Sequence, residues 1–283
     1  MPVKVRFWGV RGSIACPSSK HVVYGGNTSC VDIECAGGHL ILDAGTGLRN
    51  LGQELLQSPS RRAVLLLTHT HWDHINGFPF FAPAYCPGWR LRVLAGHLGE
   101  SGGIESVLAS QMAQPLFPIP LDAMKADLSY EDFKAGTVLT DLIPGVTVRT
   151  APLNHPNGAT GYRIETDGIA IAFITDTEHV PGVPDANVLA LMQDADLAIY
   201  DSTYTDAEYP AKAGWGHSTW EEGVRLARQS GVKELVLFHH DPDHDDEVMA
   251  RIEREARAAC NNVLVARDNM VLTLERGRQA QPE

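Results

Sequence analysis

Seven consecutive residues, Thr68-His69-Thr70-His71-Trp72-Asp73-His74, include four side chains able to bind a metal. His69, His71 and His74 offer neutral imidazole nitrogens and Asp73 a carboxylate. With no thiolate in the stretch, this donor set suits Zn²⁺, Mn²⁺ or Fe. The preceding Ala63-Val64-Leu65-Leu66-Leu67 is a short apolar run and reads as a buried strand. Gly77 and Pro79 follow too soon for a long regular helix. The cluster is therefore expected on a loop at the end of a core strand, where a rigid element holds ligand geometry. A polar surface turn that merely happens to carry three histidines does not account for four ligand-type residues on so short a loop.

The elements that must position such a cluster follow from periodicity. Strands are expected at 3–8, at 28–34 and 39–42 as a hairpin around Gly37-Gly38, and at 63–67, 91–95 and 146–151. Further strands are expected at 162–165 and 169–173, around Asp167-Gly168, and at 197–200, 235–238, 263–266 and 270–274. Helices are expected at 48–57, 104–113 and 246–259. One more should open at Ser218-Thr219-Trp220-Glu221, read as a capping box, and run to about Gln229. Residues after Glu275 are polar and expected to fray. Strand after strand ends in a group that binds metal or moves a proton: His69, His155, Asp176, Asp201 and His239. One such residue is chance; five form a constellation at one edge of the sheets. Each half of the chain supplies several strands and then helices, which fits two packed sheets with helices outside.

Some positions stay open. Asp43 is either a helix cap or a carboxylate supporting the site from a neighbouring strand. His239 and His240 are adjacent, so in a strand only one enters the site, and His239 is the choice. His179, three residues past Asp176, is a candidate pocket residue. His21, His39, His97 and His244 fall in turns or loops and are expected to be solvated. Residues 96–136 carry a helix, then Pro115, Pro118 and Pro120, then acidic turns. They read as an insertion or cap within one domain spanning 1–283. This segment is either a source of substrate-shaping residues such as Phe117 or a packing excursion.

Bulk composition narrows the function classes. The 283 residues carry a net charge of −12, which argues against a general electrostatic attraction to nucleic acid. No apolar leader or membrane-length stretch is visible, so a cytoplasmic protein without membrane association is expected. Five scattered cysteines, with no Cys-x-x-Cys, fit reduced thiols. Oligomeric state is not readable; a homodimer is left open.

The pattern His-x-His-x-Asp-His resembles the signature of the metallo-β-lactamase fold superfamily. Gly216-His217-Ser218-Thr219 and Leu237-Phe238-His239 are similar to motifs of its transfer-RNA 3′-processing endonucleases, and Tyr200-Asp201-Ser202-Thr203-Tyr204 occupies the place of their acidic-residue motif. The phosphonate-pathway cyclic phosphodiesterases share this layout. Phe7-Trp8-Gly9-Val10-Arg11-Gly12-Ser13 and Gly25-Gly26-Asn27-Thr28-Ser29 also look like that phosphodiesterase branch. The resemblance covers nearly the whole chain except roughly 96–136.

The resemblance implies an α/β, four-layer αβ/βα sandwich with the metal site at one edge of the two sheets. It implies two divalent metal ions, with Zn²⁺ favoured and Mn²⁺ or Fe as alternatives. His69, His71 and His155 would hold the first, Asp73, His74 and His239 the second, and Asp176 would bridge them. Catalytic roles fall to Asp73, which orients the nucleophile, and to His217 steadied by Asp201. His217 is expected just before a helix N-terminus, whose N–H groups attract an anion. The implied activity is phosphodiester cleavage by metal-activated hydroxide. The acidic charge, and the lack of a clear equivalent of the long basic arm with which the transfer-RNA enzymes clamp substrate, favour a small, cyclic or nucleotide substrate over a large RNA. The alternative on the same metal site is a lactonase or other carboxylic ester hydrolase. A di-iron redox protein would typically carry an acid where His71 stands, and a non-catalytic binding protein does not need the complete ligand set.

Overall fold

The protein is described by a computed structural model covering residues 2–35, 37–99, 103–276 and 280–282. The first half runs β1 (Val3–Gly9), β2 (Cys30–Cys35), β3 (Gly38–Leu42), α1 (Gly47–Leu55), β4 (Arg62–Leu67), α2 (Trp72–Ile75), β5 (Arg90–Ala95), α3 (Gly103–Gln111) and β6 (Asp127–Asp132). The second half runs β7 (Val138–Leu139), β8 (Val146–Leu153), β9 (Ala159–Thr166), β10 (Ile169–Ile174), α4 (Ala186–Met192) and β11 (Leu197–Asp201). It continues with α5 (Trp220–Ser230), β12 (Leu235–Phe238), α6 (Asp246–Ala259), β13 (Val263–Val265), β14 (Val271–Leu274) and β15 (Gln281–Pro282).

Among the described residues, one sheet has the order β15-β14-β1-β2-β3-β4-β5-β6 and the other β13-β12-β11-β10-β9-β8-β7. Side-chain alternation along each strand feeds two different apolar layers. From β4, Val64 and Leu66 face the space between the sheets, whereas Ala63, Leu65 and Leu67 face α1 and α3. From β10, Ile171 and Phe173 face the inter-sheet core, whereas Ala172 and Ile174 face α4, α5 and α6. Strands covered on both faces read as continuous apolar runs, which is why 63–67 carries no polar residue. The result is the four-layer αβ/βα sandwich. Among the described residues no helix is long and apolar enough to cross a membrane.

Parallel pairing of β3, β4 and β5, and of β10, β11 and β12, sends the C-terminal ends of these strands to one edge. That edge is where the loops after Leu67, Ile174, Asp201 and Phe238 emerge. Tyr162 on β9 ties the two sheets together there: its buried hydroxyl donates to the Leu67 carbonyl across the sandwich at 2.5 Å.

Several elements depart from the sequence reading. Residues 127–132, read as acidic turns, form β6, a parallel edge strand paired with β5. The alternation of Leu128 and Tyr130 was masked by flanking acids, which an edge strand tolerates. The 96–136 segment packs on the outer face of the first sheet through Ile104, Leu108, Met112 and Met124, and Phe117 rests there against Phe80. Gln281–Pro282 pairs with β14 where fraying was expected; residues 277–279 and 283 lie outside the described residues. Helix α4 was not foreseen, although Asp185 caps it by accepting from the N–H groups of Asn187 and Val188. The cap of α5 is Thr219 rather than Ser218, and its hydroxyl accepts from Glu222 N–H.

Tyr162→Phe should leave the Leu67 carbonyl without its buried donor and destabilise the fold by about 1–3 kcal/mol, read as a lowered urea midpoint.

Candidate metal centre

Four strand ends build the site. The loop after β4 supplies His69 and His71 and turns into α2, which carries Asp73 and His74. The loop after β8 supplies His155, that after β10 Asp176, and that after β12 His239. Asp176 and His239 adopt positive φ, 59° and 62°, as does Asp43 after β3 at 62°. Non-glycine residues rarely occupy this region, and such strain concentrates at functional positions. It also explains the adjacent histidines. The strand has ended at Phe238, so alternation does not separate them. The left-handed turn at His239 brings its ring into the site, while His240 points away and meets the Ala266 carbonyl at 2.9 Å.

The side chains form two clusters around one carboxylate. In the first, His69, His71 and His155 bring ring nitrogens within 4.8 Å of one another, and His155 Nε2 lies 3.1 Å from His71 Nδ1. In the second, Asp73 Oδ2 lies 3.1 Å from His74 Nε2 and 3.3 Å from His239 Nε2. Asp176 stands between them. Its Oδ1 is 3.8 Å from both His69 Nε2 and His155 Nε2, and its Oδ2 is 3.2 Å from His74 Nε2 and 3.3 Å from His239 Nε2.

These distances suit a cation better than hydrogen bonds. His74 Nδ1 donates to Asp43 Oδ2 at 2.8 Å and His155 Nδ1 to the Gly216 carbonyl at 2.8 Å. Each ring therefore turns its Nε2 inward. His74 Nε2 and His239 Nε2 face each other at 3.3 Å. His69 Nε2 is buried with no hydrogen-bond partner among the described residues. Burial, with the like charges around them, holds the His69 imidazole well below the usual histidine range, and burial first of all lowers His155. Imidazoles and carboxylates converging in this way fit divalent metal ions.

Support comes from groups that sequence reasoning left ambiguous or missed. Asp43 is no helix cap: it is buried and accepts from Thr68 N–H, Ser29 Oγ and His74 Nδ1. Arg11 is fully buried and donates to the carbonyls of Gly25, Asp241 and His244, clamping the first loop to the one after β12. That clamp seats Ser13, whose N–H donates to Asp73 Oδ2 at 2.7 Å. Gly12 lies against the His239 ring, where a Cβ would come within 2.4 Å. Glu178 accepts from the N–H groups of Gly214 and Gly216 and so holds the carbonyl that orients His155. The signal for Arg11, Gly12 and Ser13 was present in the Gly-Val-Arg-Gly-Ser run, but partners such as Asp73, 60 residues from Ser13, and Asp241, 230 residues from Arg11, are not visible in sequence.

His217 Nδ1 sits 3.0 Å from Asp201 Oδ2 and 3.7 Å from Asp176 Oδ1. Asp201 is buried and also accepts from Thr177 N–H, Thr203 N–H and Thr203 Oγ1. Burial pulls the His217 imidazole down, but Asp201 and then Asp176 outweigh it and raise it to about 9. Asp176, His217 and His239 also form a group with metal-compatible spacing. An opening of about 430 Å³ is lined by Ser13, Thr70, His71, Trp72, Asp73, Asp176 and His217.

Three expectations are corrected here. The N-terminus of α5 is not a vacant anion site, because Trp220 N–H is taken by the Tyr204 carbonyl and Glu222 N–H by Thr219. His179 does not line the opening; it is buried, meets Ser218 Oγ at 2.8 Å and stacks on Tyr209. Of the histidines expected to be solvated, His39 is buried against Asp32, His244 against Glu208, and His97 lies behind His69 with its imidazole lowered to about 4, first by burial. Buried polar partners, each distant in sequence or on a paired strand, draw them in.

Gly216 is at φ 86° and a Cβ there would fall 2.4 Å from His155 Nδ1. Gly216→Ala should displace His155 and lower the metal content per chain, counted by mass spectrometry, while Gly214→Ala, which carries the same backbone strain at φ 89° but has open space around it, should not. Asp176→Asn should weaken metal retention in both clusters, because one oxygen becomes a poorly coordinating amide; an unchanged metal count would argue against a bridging carboxylate.

Residues 39–240 match the family model described as the β-lactamase superfamily domain. Ribonuclease Z of Haloarcula marismortui is 22% identical, with 97% of this chain and 98% of that protein covered. The metallo-β-lactamase fold protein YhfI from Bacillus subtilis superposes with a TM-score of 0.73 at 19% identity, covering 96% of this chain and 99% of that one. A diphosphatase of the PhnP family superposes with a TM-score of 0.67 at 18% identity, covering 97% and 98%. With the model spanning well over half of its length, and with two sheets whose strand ends carry the histidine and aspartate clusters, the chain belongs to the β-lactamase superfamily domain family and has the metallo-β-lactamase fold.

Proposed function

We propose that the protein is a metal-dependent hydrolase of phosphodiester bonds, acting on a small cyclic or nucleotide phosphodiester with two divalent ions, Zn²⁺ by preference. The observation that carries this reading is the His217–Asp201 pair, a buried carboxylate holding an imidazole in the wall of the same opening as Asp73 and Asp176. A lactonase would use the same clusters but has no need of this pair. A relative named a ribonuclease and a structural neighbour named a diphosphatase support phosphoester chemistry over acyl chemistry. The net charge of −12 favours a small substrate over a large RNA. Five free cysteines agree with a reducing, cytoplasmic setting.

His69, His71 and His155 would hold one ion, Asp73, His74 and His239 the other, with Asp176 between them. Bound there, the ions would supply Lewis-acid charge to a phosphoryl oxygen and lower the pKa of a water. The chain's own groups do the rest. Asp73, pinned through Oδ2 by Ser13 N–H, keeps a single orientation toward the opening and positions the attacking water. Asp201 fixes the tautomer of His217 by taking its Nδ1–H, which leaves Nε2 to face the substrate. Raised to about 9, His217 is protonated at neutral pH and donates to the leaving oxygen.

His217→Ala should keep both metals and lower kcat by roughly 10²–10⁴, the range for loss of a general acid. A lost metal would instead make His217 a ligand. Because the acid form is required, activity should fall as pH rises through the folded pKa of about 9. Asp201→Asn removes the charge that favours imidazolium, so the alkaline limb should move to lower pH. The reading as a whole is tested by a panel of bis(p-nitrophenyl) phosphate, a cyclic nucleotide, a precursor RNA and an acyl lactone, with metal analysis on the same sample. Cleavage of the lactone alone would replace it with the ester hydrolase, and cleavage of the RNA alone would overturn the small substrate.

A further inference from the structure

The chain has five tryptophans, and their burial divides them sharply. Trp8, Trp89 and Trp220 are 5%, 1% and 7% exposed and serve the cores. Trp72 and Trp215 are 82% and 60% exposed; the first lines the opening and the second lies two residues before His217, which also lines it. Trp72 lies between His71 and Asp73 and forms part of the opening's wall. Its backbone is fixed within α2, so its indole stands at the opening on a rigid base. Trp215 precedes Gly216 and His217, in a turn whose N–H groups are pinned by the Glu178 carboxylate. Lys212 lies over its ring, 4.5 Å from the centroid, and 5.4 Å from the centroid of Tyr204, whose ring stands 5.9 Å from that of His217. A cation is thus held on aromatic faces beside the proton-bearing wall of an otherwise acidic site.

We infer that Trp72 and the Lys212–Trp215 pair are specificity-determining residues that select phosphoesters bearing a planar aromatic ring, such as a nucleobase. This rests on the phosphodiesterase reading above. The indole of Trp72 offers a stacking face at the edge of the opening, while the reacting phosphate sits against His217 and the metal ligands. Lys212 supplies positive charge for the anionic substrate. Trp215 holds that ammonium in place against one face of its indole.

The test is equilibrium binding of adenosine 5′-monophosphate and ribose 5-phosphate to the metal-loaded protein, with metal counted on each sample. The two ligands share a phosphate and a sugar and differ in the base. The wild-type protein should bind the nucleotide roughly 5- to 150-fold more tightly, the range expected for stacking one base on an aromatic side chain. Trp72→Ala should abolish that preference and leave ribose 5-phosphate affinity unchanged, and Trp72→Phe should retain most of it. Lys212→Gln should weaken both ligands by a similar factor. Equal affinities in the wild-type protein, or a preference that survives Trp72→Ala, would overturn the inference. If bis(p-nitrophenyl) phosphate is cleaved but adenosine 5′-monophosphate and ribose 5-phosphate bind equally, the inference alone fails. If neither phosphate binds and no phosphodiester is cleaved, the functional reading fails and the inference falls with it.

Discussion

Everything at the sheet edge depends on one buried carboxylate. Asp176 is 1% exposed, sits in a left-handed backbone conformation, and offers one oxygen to each of two histidine clusters. In a dry interior a carboxylate is costly unless its charge is matched. The imidazoles around it cannot all match it by protonation, since their like charges would repel at these separations. Divalent cations placed between the rings and the carboxylates would match that charge without such repulsion. The ligands leave the ends of strands anchored in two sheets, so the fold restricts their freedom and lowers the entropy that metal binding must overcome.

Such a centre needs buried polar support, and it is supplied in matched pairs. Asp43 sets the tautomer of His74, Gly216 that of His155, and Asp201 that of His217. Each of these partners is itself saturated: Asp43 by Thr68 and Ser29, Gly216 through Glu178, and Asp201 by Thr177 and Thr203. Hydrogen bonds in a low-dielectric interior reinforce one another, and a half-satisfied network would be worse than none. Arg11 plays the same part for the backbone, replacing water for three carbonyls on the loops that frame Asp73 and His239.

The sandwich explains why these loops can be strained. Strands β4, β10 and β12 are apolar on both faces and anchored in separate layers, so their ends do not relax when a residue after them takes a positive φ. Tyr162 reaches across to the Leu67 carbonyl and fixes the spacing between the sheets at the point where the first ligand loop leaves. Packing of this density makes local strain affordable and turns it into ligand direction.

The sequence by itself determined the donor set and the architecture that presents it. His69, His71, Asp73 and His74 are packed so closely on the chain that the loop geometry alone brings them together, and uninterrupted apolar runs such as 63–67 specify strands buried on both faces. Helix α6 was legible residue for residue because it is long, periodic and ends where the pattern ends. Only the tertiary structure decided the rest. Whether Asp43 caps a helix or holds His74, and whether His39, His97 and His244 are solvated or buried, depends on partners brought in by sheet order. The choice between His239 and His240 turns on a single left-handed residue at a strand end, and the cap of α5 moved from Ser218 to Thr219 because the Ser218 hydroxyl is engaged by His179 and Tyr200. Strand β6 was hidden because an edge strand with one wet face needs little apolar sequence. Local patterns record what a segment must bury; they carry no record of which distant group will meet it, and that meeting decides the tautomers, charges and orientations on which chemistry at this site depends.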